Sequence, residues 1–176
     1  MAIHDGVSDT GTPYEIVPLT RSVAIAPGNE IVGTVGDGQS ERVTFRIPRY
    51  YDGHDLSACD QIWINWKNAG GTEGTYLVED RETEGEMLAF SWLLSAAACS
   101  TEGVLAFSIH FADLGSDGEI LYRWSTRRID RMVVAPTLSG GSGDYAPEHI
   151  TVDVNALLSA VEGKVKGVYE NGSASY

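Results

Sequence analysis

The side chains from which catalytic or metal chemistry could be assembled here are four histidines, two cysteines, the serines and 25 carboxylates. His4, His54, His110 and His149 fall in an arm, a loop, a strand and a linker. None sits at i, i+4 beside a carboxylate, the spacing that puts two imidazoles around a metal on one helix face. Cys59 and Cys99 lack zinc-knuckle spacing and would need histidines to converge from elsewhere. With no secretory signal in the N-terminal residues, both are expected as free, partly buried thiols. His110 alternates with Ile109 and Phe111 and therefore faces the other side of its strand, as a surface or cross-strand histidine. The Asp113–Glu119 loop faintly resembles a calcium loop but lacks the alternating Asp/Asn ligands that give such loops affinity. Gly33 to Gly38 (GTVGDG) is not a dinucleotide fingerprint and no helix follows it. No serine occupies a nucleophile elbow. No catalytic residue, cofactor or metal is expected, and the chain is not expected to be an enzyme.

Binding is the other chemistry to weigh. Trp63 lies on the polar side of its strand with Asn65 and Lys67 beside it. A tryptophan flanked by an amide can stack on a pyranose ring of a host-surface glycan, or pack under a loop, a second sheet or a neighbouring subunit. Trp63 and Asn65 are therefore the candidate ligand or interface residues. Trp66, Trp92 and Trp124 fall in register with aliphatic neighbours and read as core. The formal charge of −13 disfavours nucleic acid and anionic membrane as partners, because both reward clustered Lys and Arg. No apolar run approaches the roughly 20 residues that span a bilayer.

These residues must be positioned by strands. Glu41–Ile47 alternates Val43, Phe45 and Ile47 against Thr44 and Arg46, and Pro48 stops the run. Gln61–Trp66, Glu86–Leu93, Val104–Phe111, Ile120–Thr126 and Ile129–Val134 alternate similarly. Shorter strands are expected at Ser22–Ala26, Glu30–Val35 and Thr75–Glu79. Tyr14–Leu19, hampered by Pro13 before it and Pro18 within it, reads as a weak strand best placed on an edge. Tyr50-Tyr51-Asp52-Gly53, Asn68-Ala69-Gly70-Gly71 and Ser116-Asp117-Gly118 are turns, and Ser95–Thr101 a helical turn or small-residue crossing. Eight or so strands at this spacing predict an all-β fold, an antiparallel β-sandwich of jelly-roll or Ig-like type.

The organisation follows: an arm over 1–20, the β-sandwich over 21–137, a Gly/Ser linker over 138–150, a helix over 151–170 and a tail over 171–176. In the helix, Val154, Leu158, Val161, Val165 and Val168 step by four, three, four and three, a narrow coiled-coil seam. Asp153 would cap it and Asn171-Gly172 end it. Gly163 and Gly167 each cost roughly 1 kcal/mol against alanine, so the helix is marginal alone. It either docks on its own β domain or is only partly ordered, or it bundles with copies of itself, most naturally three, as the start of a stalk.

The run GDGQSERVTFRIPRYYDGHDLSACD (Gly36–Asp60), followed in order by FSWLL (Phe90–Leu94), GVLAF (Gly103–Phe107) and YRWST (Tyr122–Thr126), resembles a bacteriophage module. It is similar to the N-terminal domain of upper baseplate and related fibre proteins from phages of Gram-positive bacteria. The likeness spans about Val32 to Val134. It implies a virion structural domain, assembled in the host cytoplasm, that docks on other virion proteins, oligomerises (commonly as homotrimers) and carries a distal part. This sequence stops shortly after one helix, so baseplate or tail component, head fibre, capsid decoration protein and adaptor are all expected roles. The arm before Thr12 is the expected docking element.

Overall fold

The computed structural model describes residues 8–9 and 11–138. Over these residues the protein is all-β. The strands are β1 (Ser8–Asp9), β2 (Tyr14–Val17), β3 (Ser22–Ala24), β4 (Ile31–Thr34), β5 (Glu41–Pro48), β6 (Tyr50–Tyr51) and β7 (His54–Asp55). They continue with β8 (Gln61–Lys67), β9 (Glu73–Leu77), β10 (Arg81–Glu84), β11 (Met87–Leu93), β12 (Gly103–Leu114), β13 (Ile120–Ser125) and β14 (Ile129–Ala135). One 3-10 turn, Leu56–Ala58, is the only helical element among the described residues. The expected C-terminal helix and its seam (Val154, Leu158, Val161, Val165, Val168) lie outside the described residues, as does most of the linker.

Two six-stranded sheets carry the fold, and each is organised around one strand. In the first, the order is β10-β11-β5-β2-β3, with β1 also pairing β5. In the second, it is β4-β14-β12-β8-β9, with β13 also pairing β12. β5 bonds to β11 along one edge and to β1 and then β2 along the other. β12 bonds to β8 along one edge and to β14 and then β13 along the other. Both strands read as strict alternation in the sequence, and that pattern requires a covered face along their full length.

The expectation of a wholly antiparallel arrangement is corrected here. β1 and β2 run parallel to β5, and β4 runs parallel to β14. After β3 the chain crosses to the second sheet for β4 and then returns, so β5 arrives in the same direction as β2; parallel neighbours need such long connections. The placement of Tyr14–Val17 is also corrected: it is neither part of an arm nor an edge strand, but lies between β5 and β3. Pro13 and Pro18 flank the strand rather than interrupt it, so no ladder donor is lost. Tyr14 and Ile16 drop into the core at 4% and 2% exposure.

The inner faces share one core. Phe45 on β5 and Trp92 on β11 meet Phe107 on β12 at ring-centroid distances of 5.6 and 5.7 Å. Phe90 packs edge-on against Phe111 at 5.7 Å. Each such side chain contributes about 1.5–3 kcal/mol by leaving water, before ring geometry is counted. Trp66 and Trp124 join the core as expected. Opposite Trp66, the edge strand β9 carries Gly74: a Cβ there would stand 2.4 Å from the indole, so only glycine lets the ring lie flat across the strand.

Several polar groups of the stretch Gly36–Asp60 serve turns within it or beside it. Asp37 Oδ2 accepts the Thr34 amide at 2.8 Å. Asp52 and Gly53 take φ of 51° and 77°, the left-handed pair that closes the two-residue hairpin between β6 and β7. Asp55 caps the 3-10 turn by accepting the Ser57 amide, at 3.0 Å, and the Ser57 hydroxyl. Arg49 grips the same carboxylate with Nη2 at 2.9 Å and Nε at 3.1 Å. The Arg49 guanidinium and the Ser57 donors together hold the Asp55 carboxyl down at about 2.

Candidate functional site

Trp63 and Asn65 emerge on the outer face of the second sheet, because Ile62, Ile64 and Trp66 take the inner one. Register brings a set of polar side chains to them. Trp63 lies opposite His110 on β12 and Leu77 on β9, Asn65 opposite Ser108 and Thr75, and His110 opposite Ser125 on β13. The imidazole stacks on the indole, centroids 5.1 Å apart and planes 11° apart. The Arg123 guanidinium lies 5.5 Å over the same indole.

His110 is the centre of this set and is 7% exposed. Its outward orientation agrees with the alternation, and of the two expected settings, surface or cross-strand, it takes the second: cross-strand neighbours cover it. Its Nδ1 lies 2.7 Å from Ser125 Oγ and 3.2 Å from Arg123 Nη2. Its Nε2 lies 2.8 Å from Ser108 Oγ and 3.3 Å from Asn65 Nδ2. Arg123 Nη2 and Asn65 Nδ2 can only donate, so donors face both ring nitrogens, a setting for the neutral imidazole rather than the imidazolium. Burial, and next the Arg123 charge, push the His110 pKa down, which favours this neutral form. Thr75 Oγ1 donates to Asn65 Oδ1 at 2.8 Å and extends the network to β9.

Beside the network runs an open trough of about 500 Å³ lined by Asn65, Lys67, Glu73, Thr75, Ser108 and Arg128 among others. Donors and acceptors converge here, the composition of a polar-ligand or interface site. On the far side of the same outer face, Ile31, Val133 and Val104 form a cross-strand row over β4, β14 and β12. Ile31 is 60% exposed and Val104 42%.

The outer face of the first sheet holds a second concavity, about 640 Å³, around Arg42, Thr44 and Arg46. Arg42 Nη1 reaches Asp80 at 3.4 Å and Arg46 Nη1 reaches Glu15 at 3.3 Å, while both Nε atoms are buried without a partner. The two thiols are free, as expected, and fully rather than partly buried. Burial, then the Asp113 carboxylate, pushes Cys59 up to about 12; burial, then Asp37 and Glu41, pushes Cys99 up to about 11. Both are thiols at neutral pH and poor nucleophiles in that form.

Of the residues singled out from sequence, Trp63 and Asn65 fall in one network, and the seam lies outside the described residues. Sequence reasoning missed Ser108, Arg123, Ser125 and Thr75 as its members. Their alternation placed them on outward faces, but only cross-strand register makes them neighbours. No protein-family model matches the chain, and no curated protein matches it.

Proposed function

We propose that this chain is a non-enzymatic bacteriophage virion structural protein, a baseplate or tail, head-fibre or capsid-decoration component. In this reading its two sheets form a β-sandwich of jelly-roll or Ig-like type that attaches to the particle. The residues beyond Leu138 bring copies together, most naturally as a homotrimer. The observation that carries the reading is the Ile31–Val133–Val104 row, exposed at Ile31 and Val104 and half-buried between them, an aliphatic strip of the kind that a protein neighbour covers. The module-like sequence of Gly36–Asp60 supports it, because Asp37, Arg49 and Asp55 serve nearby backbone and turns.

The test is incorporation. The double variant Ile31→Asp, Val104→Asp is expected to fold, since both side chains are exposed, and to fall at least tenfold in copy number per particle. Particle imaging with quantitative mass spectrometry reads this out. Undiminished incorporation of the folded variant overturns the row as the attachment surface.

A carbohydrate-binding reading is favoured by one feature, the outward-facing Trp63 on the same strand as Asn65, which lines the polar trough. It predicts glycan-array signals that Trp63→Ala removes. His110 and Arg123 already engage the indole, which leaves less aromatic surface for a sugar. An array blank for the parent protein ends that reading.

A further inference from the structure

We infer that His54, Cys59 and Asp113 form a binding site for one zinc-class divalent cation. The three donor atoms lie within 4.8 Å of one another, and His54 Nε2 is 2.9 Å from Asp113 Oδ2. A tetrahedral zinc with bonds of about 2.0–2.3 Å separates its ligands by about 3.3–3.7 Å, so small side-chain adjustments suffice. Nitrogen, sulfur and oxygen donors in a mixed set of three suit zinc or cobalt over calcium or magnesium, which take oxygen alone. A thiolate and a carboxylate together neutralise the cation's charge.

Three separate parts of the fold deliver these groups, and each is fixed by its own backbone. His54 sits just after the left-handed Asp52-Gly53 turn, and its ring stacks on Tyr122 with centroids 3.6 Å apart, which sets the imidazole plane. Cys59 follows the 3-10 turn; its amide donates to Leu56 O and its carbonyl accepts from Arg81 Nη1. Asp113 pairs with Tyr122 where the β12–β13 register shifts, a bulge that aims the carboxylate at the hairpin. Such supporting contacts hold a donor set in place before the metal arrives. Cys59 is 1% exposed and closes the inner side. The His54 and Asp113 side chains are 31% and 27% exposed, so the fourth position opens to water.

On binding, the Cys59 S–H bond breaks, its proton passes to solvent and the sulfur lone pair forms the metal bond; no redox change occurs. The cation would tie the β6–β7 hairpin to the rim of the second sheet.

Titration of the metal-free full chain with Co²⁺ alone, followed by Zn²⁺, tests the site. The expected result is one Co²⁺ per chain, with the visible bands of a tetrahedral ion and a thiolate-to-cobalt charge-transfer band, both removed by Zn²⁺. Cys99→Ser keeps the charge-transfer band and Cys59→Ser loses it. His54→Ala, which alters a partly exposed side chain and keeps both thiols, is expected to weaken binding at least tenfold and to abolish the rise in Tm that Zn²⁺ gives the parent. No cobalt spectrum in the parent, a charge-transfer band that survives Cys59→Ser, or unchanged affinity in His54→Ala overturns the assignment. Neither virion incorporation nor glycan binding enters this readout, so it stands or falls separately from the proposed function.

Discussion

Replacing Phe107 with alanine is expected to cost about 3–5 kcal/mol, the range for emptying a buried phenylalanine site. Phe107 is 2% exposed and stands on the central strand of the second sheet. Its ring meets Phe45 and Trp92 across the interlayer space, so the cavity opens between two sheets rather than within one. Neither sheet can close it by moving a single side chain, because each partner ring is held by its own ladder. Domains of this size have total stabilities of roughly 5–15 kcal/mol, so the variant should unfold at much lower urea. Urea denaturation followed by tryptophan fluorescence measures it. A loss below about 1 kcal/mol would mean that the sheets do not share the core described here.

The second large effect concerns His110. His110→Ala removes the group shared by Ser108, Ser125, Asn65 and Arg123 and unstacks Trp63. The expected cost is about 2–3 kcal/mol, the order of leaving part-buried polar groups without their partner. The parent should also carry a pH signature. The folded-state pKa of His110 is depressed below its ordinary value of 6.5, by burial first and by Arg123 second. The unfolded chain therefore takes up the proton first as pH falls. The stability that the neutral ring provides is fully present above about pH 6.5 and declines below it until the folded-state pKa is passed. One proton limits the slope to about 1.4 kcal/mol per pH unit. Asp55, with a folded value of about 2, adds its own loss of stability as pH falls below about 4. Denaturation midpoints at pH 8, 6.5 and 5 should diverge between parent and variant at high pH and converge at low pH. Parallel curves would show that the histidine does not hold its neutral form in the fold.

Much of the strand set is legible in the sequence because burial on one face imposes a period of two. Val43, Phe45 and Ile47 on β5 and Leu105, Phe107, Ile109 and Phe111 on β12 are all buried in the core. Turn chemistry is legible for the same local reason: Asp52-Gly53 and Gly118 adopt the left-handed conformations that their residue types permit. β10, reading Arg-Glu-Thr-Glu with every side chain exposed, carries no such signal and was not expected as a strand. It exists because β11 offers it an antiparallel edge, a fact about a neighbour rather than about its own residues.

The site divides along the same line. Alternation along one strand sufficed to put Trp63, Asn65 and His110 on outward faces, since the direction of a side chain depends only on its own strand's inner face. It said nothing about who stands opposite, because pairing between β8, β12 and β13 joins residues up to 62 positions apart through register that no local pattern encodes. Hence the sequence alone made His110 a surface or cross-strand histidine, and the tertiary structure made it the buried centre of a network. Likewise His54, Cys59 and Asp113 had no metal spacing as written. Two turns and a bulge, each closing a different part of the chain, bring their donor atoms to one place. The sequence by itself determined the element type, the inward faces and the tight turns, which are local consequences of residue chemistry. The parallel pairings, the position of β2 within its sheet and both polar clusters are non-local, and only the folded chain decided them.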